Sequence, residues 1–333
     1  KVPYTQISMS VVDSPAHQGL ALETALESLV LLKNKDSALP IRTSDRTMTV
    51  VGPHAASVEA LMGNYFGLGA RMTTLLEGIA ETAPAELRID YRKGCLMDRK
   101  NPNDMDWSTM EASHSDVVVA AMGLDANIEG EEGDAIQSPH RGDRIDSALP
   151  ENQVTYLKAL FERKQRDKSK CRIIVLIFGG SAVSIPEIQE QADAILQVWY
   201  PGQAGGTAIA KVLFGEVSPS GRMPVSVPFS VDDLPPYAEY AMAGRTYRYM
   251  DQARMLYPFG FGLSYTEFEY DQITLSREIL RADETLEASV KVTNIGKMAG
   301  GDVVQCFIER IDREADEPRL TLAGYDKVSL EPG

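Results

Sequence analysis

The chain has 333 residues, of which 44% are hydrophobic and 24% charged, a composition that suits folded domains with a sizeable core rather than a disordered chain. The net charge of −15 argues against nucleic acid and anionic membrane surfaces as partners. No apolar run approaches the roughly 20 residues that a membrane-spanning helix requires.

Helices and strands alternate along residues 15–231, after an irregular lead-in at residues 1–14. Ser14 and Pro15 suit the N-cap and the first position of a helix, which we expect to run to about Lys33. Further helices are predicted at residues 73–82, 153–163, 185–191 and 208–214. Strands are predicted at residues 47–51, 87–91, 117–122, 173–178 and 195–199. Continuous apolar strands between helices predict an α/β domain, with a mostly parallel sheet flanked by helices on both faces.

The pattern changes to alternating strands near residue 264. These strands are predicted at residues 268–275, 286–293, 302–309 and 320–328. They predict a partial antiparallel β-sandwich at residues 265–333, because a complete sandwich of this kind needs about seven strands. Residues 232–264, rich in Pro, Tyr and Met, form the connecting segment between the two predicted domains.

The two ends of the chain indicate a longer polypeptide. The first residue is Lys1 rather than methionine, and residues 330–333 suit a turn inside a β domain. We therefore expect this chain to be a piece of a larger protein.

The cysteines and histidines point to neither a disulfide framework nor a metal centre. Cys95, Cys171 and Cys306 are odd in number and lie far apart. The four histidines show no spacing typical of metal ligands. We therefore expect no metal site.

A carboxylate-rich loop follows the predicted strand at residues 117–122. Glu129, Glu131, Glu132 and Asp134 crowd this loop, and sites in open α/β sheets form beyond the carboxyl ends of strands. Crowded like charges raise the pKa of the least solvated carboxyl group, as a general acid requires. A solvated acidic loop is the alternative, and the residues alone favour it.

Two further features have a chemical and a structural interpretation. Residues 179–181 (GGS) follow a strand as a phosphate-binding turn would, but they lack the lysine of a P-loop, which favours a plain turn. Trp199 and Tyr200 end a strand and could stack on a sugar, although such aromatic residues more often belong to a core or an interface.

Four segments, in order, resemble glycoside hydrolase family 3, whose members are retaining exo-acting β-glycosidases. The most informative is residues 199–222 (WYPGQAGGTAIAKVLFGEVSPSGR). Residues 21–39 resemble the start of the second domain of that family, and residues 244–249 (GRTYRY) and 257–265 (YPFGFGLSY) resemble its end. The resemblance covers nearly the whole chain. It implies an α/β sandwich domain followed by a truncated fibronectin type III-like domain.

The resemblance also implies a general acid/base. Xylosidase-like members of the family carry an Ile-Glu-x-Glu pattern, which residues 128–131 (IEGE) match. In the family the second glutamate of that pattern is the acid/base, which makes Glu131 the candidate here. Because an insertion follows the pattern in this sequence, Glu132 and then Glu129 are the alternatives.

Other family features concern substrate contacts and the nucleophile. Asp143 and Arg144 match the family's Asp-Arg after the insertion, and they either brace the acidic loop or form a surface pair. Arg144 facing the sugar and a substrate-side Tyr65 are further options. The family's nucleophile is an aspartate on a preceding (β/α)8 barrel, which no part of this chain resembles. No metal or organic cofactor is implied.

The expected function is that of the C-terminal part of a retaining exo-β-glycosidase, which acts on terminal β-linked sugars of short oligosaccharides. A β-xylosidase is expected first, and a β-glucosidase or a non-catalytic carbohydrate-related interaction module are the alternatives. The expected partners are the oligosaccharide and the missing barrel of the same polypeptide, and oligomerisation is compatible with the sequence. The family's domain order implies a periplasmic or secreted protein.

Overall fold

The computed structural model describes residues 2–64, 66–102, 107–130, 138, 142–251, 254–281, 283–314 and 316–333. The α-helices are α1 (Pro15–Ser28), α2 (Leu75–Thr82), α3 (Ser108–Ser113), α4 (Ala126–Glu129), α5 (Glu151–Arg166), α6 (Pro186–Gln191), α7 (Gly205–Leu213) and α8 (Thr246–Tyr249). The first strands are β1 (Val30–Asn34), β2 (Thr47–Val51), β3 (Arg88–Arg92), β4 (Val117–Gly123), β5 (Arg172–Phe178), β6 (Ala194–Trp199), β7 (Val227–Pro228) and β8 (Met255–Tyr257). The later strands are β9 (Phe268–Tyr270), β10 (Thr274–Leu275), β11 (Ala288–Ser289), β12 (Val292–Asn294), β13 (Gly300–Glu309) and β14 (Leu320–Leu330).

A six-stranded sheet in the order β1-β6-β5-β4-β2-β3 forms the centre of the fold. Strands β2 to β6 pair in parallel, and β1 joins the edge antiparallel to β6. Alternate side chains of the strands enter two separate apolar cores, one on each face. Helices α1, α2 and α7 cover one face, and α5 and α6 cover the other. The predicted mostly parallel sheet with helices on both faces is confirmed.

The predicted end of the first helix is wrong. Ser14 caps α1 by accepting a hydrogen bond from the His17 amide, and Pro15 is its first residue, as expected. The helix ends at Ser28 because Leu29 adopts extended backbone angles, and residues 30–34 then form β1. The apolar residues that follow Leu29 suit either structure, and pairing with β6 buries both sides of the strand.

The part after residue 265 is antiparallel but more broken than predicted. Three two-stranded sheets pair β9 with β12, β10 with β11, and β13 with β14. The predicted strand at 268–275 divides because its apolar alternation changes phase: Phe268 and Tyr270 are followed by Ile273 and Leu275. Small antiparallel sheets confirm the expected fold class of this part.

Polar contacts join the antiparallel part to the turn that follows α7. The Arg222 guanidinium forms an ion pair with Asp302, and both side chains are nearly buried. The Tyr270 hydroxyl donates to the other oxygen of Asp302 at 2.5 Å. Ser218 and Ser264 share a hydrogen bond of 2.8 Å between their hydroxyl oxygens.

Among the helices that the structure describes, none has both the length and the hydropathy of a membrane span.

Helices α2 and α7 approach so closely that only glycine fits at their crossing. A Cβ atom at position 206 would lie 1.9 Å from the Thr74 carbonyl oxygen, and one at position 78 would lie 2.1 Å from the Gly206 oxygen. Backbone atoms cannot yield as a flexible side chain can, so the crossing requires these two glycines.

Gly206→Ala should therefore lower the free energy of unfolding by about 1–3 kcal/mol, the usual cost of overpacking. Gly19→Ala is the matched control, since Gly19 lies within α1 with no heavy atom within 4 Å of an added Cβ. The control should raise stability by about 0.4–1 kcal/mol, because alanine restricts the unfolded chain. Urea unfolding of both variants tests this, and equal stabilities would contradict the close crossing.

His54 follows β2 and is buried, 2% exposed, with its ring centroid 5.1 Å from that of Phe178. Burial lowers its pKa from 6.5 to about 4, opposed by a hydrogen bond with the Gly123 backbone. Above pH 6.5 the ring is neutral in both the folded and the unfolded chain. Between pH 6.5 and 4 only the unfolded chain binds the proton, so stability falls as the pH falls.

Between pH 6.5 and 4, His54 should lower the free energy of unfolding by at most about 1.4 kcal/mol for each pH unit of acidification. His54→Gln should remove this component of the pH dependence, whereas His17→Gln, at an exposed position of α1, should keep it. Urea unfolding at several pH values measures both variants. An unchanged slope in His54→Gln would show that the ring does not resist protonation.

Candidate active site at the carboxyl edge of the sheet

The end of β4 leads directly into the short helix α4. Gly123 has a φ of +140°, and a Cβ there would lie 2.0 Å from the Phe178 carbonyl oxygen, so glycine is required. The fully buried amide of Gln153 fixes this glycine: Gly123 N donates to Oε1, and Nε2 donates to the Gly123 carbonyl oxygen, each at 2.8 Å. Asp125 then caps α4 by accepting from the Asn127 amide at 2.9 Å, and its burial raises the pKa of its carboxyl group.

The last residue of α4, Glu129, has a carboxylate that accepts four hydrogen bonds. Its Oε2 atom accepts from the Gly180 amide at 2.8 Å and from the Tyr200 hydroxyl. Its Oε1 atom accepts from the Ser181 amide at 2.9 Å and from the Ser181 hydroxyl. The donors come from the chain after β5 and after β6, so one carboxylate joins the ends of three neighbouring strands.

The turn at residues 179–181 brings its two amides to that carboxylate. Gly179 has a φ of +128°, a conformation that L side chains rarely adopt. At position 180 a Cβ would lie 3.2 Å from the Tyr200 ring, closer than an ordinary contact. The interpretation as a turn fits this geometry. The turn donates to Glu129, a carboxylate of the same chain.

Tyr200 is held in a partly buried position beside this carboxylate. Burial, the charge of Glu129 and the hydrogen bond to Glu129 all raise the pKa of the phenol, in that order of importance. The hydroxyl therefore remains a hydrogen-bond donor at all physiological pH values. Trp199, its neighbour, donates from Nε1 to the Ser28 carbonyl at 2.9 Å, which ties the strand end to α1.

Arg144 follows the acidic segment along the chain and contacts the same turn. Its Nη1 donates to the Ser181 hydroxyl at 3.0 Å, and its Nη2 donates to the Ala148 carbonyl. Its carboxylate partner is Asp146, with 3.5 Å between Nη2 and Oδ1, while Asp143 is exposed. The Arg144 side chain is 14% exposed and thus largely enclosed.

Several predicted site residues lie outside the described residues. These are Glu131, Glu132, Asp134 and Tyr65. The structure does place their neighbours: the Asn64 side-chain amide donates to the Glu129 carbonyl oxygen at 3.4 Å. The loop before Tyr65 and the end of α4 therefore meet at the same edge of the sheet.

A cavity of about 400 Å³ lies next to α4. Its lining includes Asp125, Asn127, His54, Glu59 and Lys93, which makes it polar and mixed in charge. No group of three or more His, Cys, Asp or Glu side chains that could hold a metal ion occurs within the described ranges. The edge is therefore a polar, hydrogen-bonded surface beside a carboxylate-rich segment.

Sequence reasoning missed that Ser181 and Tyr200 both donate to Glu129 and that Gln153 fixes Gly123. Residues 179–181 and Tyr200 each follow a strand, which was the available signal, but their shared partner Glu129 lies 51 and 71 residues away from its donors Gly180 and Tyr200. Gln153 carries no signal in the sequence, since a glutamine near the start of a helix is ordinarily exposed.

Comparison with known proteins identifies a family model and several enzymes that are similar to this chain. Residues 29–265 match the model of the glycosyl hydrolase family 3 C-terminal domain. The periplasmic β-glucosidase of Salmonella typhimurium is 34% identical over 96% of this chain, which spans 44% of that protein. The β-xylosidase of Formosa agariphila is 32% identical over 95% of the chain and 43% of its own length.

A solved structure agrees with these relatives. The β-glucosidase of Erythrobacter marinus superimposes with a TM-score of 0.82 at 32% identity, over 97% of this chain and 45% of that protein. The chain thus spans less than half the length of the relatives it matches. Its matched segment and its identity to these enzymes show that the chain belongs to glycosyl hydrolase family 3 and contains the family's C-terminal domain.

Proposed function

We propose that this chain is the C-terminal part of a retaining exo-acting β-glycosidase, which releases terminal β-linked sugars from short oligosaccharides. The observation that supports it best is the four-donor attachment of Glu129, because it fixes the chain immediately before the carboxylate-rich segment. A retaining glycosidase needs two carboxyl groups about 5–5.5 Å apart, one as nucleophile and one as acid/base. The chain supplies the acid/base, and an aspartate on a barrel in the same polypeptide supplies the nucleophile.

In this proposal Glu131 protonates the leaving oxygen and later deprotonates the attacking water. Glu132 is the first alternative, because the insertion after the motif permits a shift of one residue. Glu129 is a poorer alternative on geometric grounds, since each of its oxygens accepts from one backbone amide and one hydroxyl, which leaves no acceptor site for a transferable proton. The reaction requires only the two carboxyl groups and water.

The proposed substrate-binding residues differ in their support. Arg144 is committed to Ser181, Ala148 and Asp146, so we propose that it braces the loop rather than contacts the sugar. A substrate-side position for Tyr65 stays a proposal, supported by the contact between Asn64 and the end of α4.

The proposed sugar is a β-xyloside, on the strength of the Ile-Glu-x-Glu pattern at residues 128–131. A β-glucoside is the second candidate, because the Salmonella and Erythrobacter relatives are both named β-glucosidases. The barrel would line most of the sugar pocket and decide between them. A periplasmic or secreted location is proposed with the support of the Salmonella relative's name.

Residues 1–333 alone should not hydrolyse an aryl β-xyloside or β-glucoside, because they lack a nucleophile. The measurement is release of the aryl alcohol by the purified chain against a buffer blank, with the intact polypeptide as the positive control. Turnover by the chain alone that disappears in Glu131→Ala would refute the division of the site between two domains.

In the intact polypeptide, Glu131→Ala should slow substrates with poor leaving groups by about 10²–10⁴-fold, the usual contribution of general acid catalysis. Activated aryl glycosides should lose far less, because their leaving groups depart with little protonation. Added azide should partly restore turnover, since a small anion attacks the glycosyl-enzyme without a general base.

Glu132→Ala and Glu129→Ala are the comparison variants, and both should show smaller losses and no azide rescue. If Glu132→Ala shows the leaving-group dependence and the rescue while Glu131→Ala does not, the acid/base lies one residue later. If none of the three variants shows rescue, the acidic segment does not supply the acid/base.

A further inference from the structure

We propose that Ser181 is a shared attachment point that fixes the segment carrying the general acid, because Glu129 and Arg144, from the two ends of that segment, both bind to it. We call Glu129, Gly180, Ser181, Tyr200 and Arg144 the Ser181 clamp. This inference rests on the proposed function, because it names residues that position the acid rather than perform the chemistry.

The first support is that Ser181 contacts both ends of the acidic segment. The chain enters the segment from Glu129, which accepts from the Ser181 amide at 2.9 Å and from its hydroxyl. The chain leaves the segment at Arg144, whose Nη1 donates to the same hydroxyl at 3.0 Å. The Ser181 hydroxyl thus donates to one end and accepts from the other, which uses both of its capacities.

The second support is the match between donors and acceptors at Glu129. Each carboxylate oxygen accepts one backbone amide, from Gly180 or from Ser181. Hydroxyl donors can rotate, but a backbone amide cannot become an acceptor. In Glu129→Gln the side-chain NH₂ would therefore face a backbone N–H in either orientation. Only a carboxylate satisfies this position.

The third support is that the clamp rests on rigid elements. Gly180 and Ser181 follow β5, and Tyr200 follows β6, strands whose residues are almost all fully buried. The Tyr200 hydroxyl adds a donor to the Oε2 atom that the Gly180 amide already contacts. Glu129, at the start of the segment, is therefore attached to residues that directly follow two buried strands.

Such an attachment has a direct kinetic consequence. Fixing both ends of a segment removes conformational freedom that the reacting geometry would otherwise have to restrict. A displacement of about 1 Å can reduce turnover on the order of 100-fold. Loosening the clamp should therefore damage proton donation more than substrate binding or nucleophilic attack.

The experiment measures kcat/KM of the intact polypeptide for aryl β-xylosides and β-glucosides of graded leaving-group ability. Ser181→Ala should lower kcat/KM about 10–100-fold for the poorest leaving group and only about 3-fold or less for the most activated one. A change in the ratio of kcat/KM between the most activated and the poorest leaving group indicates a misplaced general acid. A general loss of folded protein would instead lower the apparent kcat/KM equally for all substrates.

The coupling between the two attachments provides a second measurement. Arg144→Ala removes the contact to Ser181 as well as the one to Ala148. Because both variants break the bond between Arg144 and Ser181, while Ser181→Ala also removes the hydroxyl bond to Glu129, the double variant should lose more than either single variant but less than the product of the two losses. Independent, multiplicative losses would overturn the shared attachment.

Controls separate positioning from catalysis and from folding. Azide should not rescue any clamp variant, because the general base is still present. Tyr200→Phe, which removes one donor and keeps the ring, is the mild variant if Ser181→Ala does not fold, and it should change the leaving-group ratio in the same direction. The matched controls Ser329→Ala and Glu162→Gln lie at exposed positions and should leave the ratio unchanged.

The outcomes distinguish the two proposals. An intact polypeptide that hydrolyses none of these glycosides overturns the proposed function, and with it the clamp. An active polypeptide in which Ser181→Ala and Tyr200→Phe slow all leaving groups equally overturns the clamp alone. A changed ratio with coupled losses supports it.

Discussion

Burial of the sheet on both faces determines where polar chemistry can occur in this chain. Strand β4 is buried along its whole length and β5 along all but its first residue, between two apolar cores. A charged group placed along such strands would lose its water without gaining partners, so charges are excluded there. At the carboxyl ends, in contrast, backbone amides are released from the sheet and can bind an anion. Glu129 occupies such a position beside the ends of β4, β5 and β6.

The turn after β5 shows that an anion-binding geometry can bind a side chain of the same protein instead of a ligand. Successive amides in a turn form a concave donor site, which in other folds binds phosphate. Here the Gly180 and Ser181 amides bind the carboxylate of Glu129 from the same chain. The hydrogen bond from the Tyr200 hydroxyl to the same carboxylate is partly buried, where such a bond is stronger than in water and an unpaired member is costly. The local structure is therefore fixed before any substrate arrives.

Local patterns predict much of this fold but little of the site. The apolar runs at residues 117–122 and 173–178 predict β4 and β5 because short uninterrupted apolar runs between helices are typical of strands in a covered parallel sheet, and both predictions are confirmed. The prediction of a helix for residues 30–34 is wrong because an apolar run after a helix fits a continued helix as well as a strand. Pairing with β6, 160 or more residues later in the chain, decides between a helix and a strand.

Local sequence patterns do not predict the Ser181 clamp, for the same reason. Glu129 lies 51 residues before Gly180 and 71 residues before Tyr200 along the chain. Each of these residues has an ordinary structural interpretation by itself. The glycine pair is typical of a turn, and the aromatic residue at a strand end is typical of a core residue. The acidic loop is typical of a solvent-exposed loop. Only the fold shows that one carboxylate satisfies the donors of the other two. The assignment of Glu131, Glu132 and Tyr65 stays a prediction from the family resemblance.

The ion pair between Arg222 and Asp302 has a consequence for how the chain unfolds. Both side chains are nearly buried, and the Tyr270 hydroxyl occupies the second oxygen of Asp302. Separating the antiparallel strands from the sheet would break this ion pair and the Tyr270 hydrogen bond and would return all three side chains to water. These contacts exist only while the two parts are docked, so they couple the unfolding of one part to that of the other. Heating should therefore show a single transition rather than two.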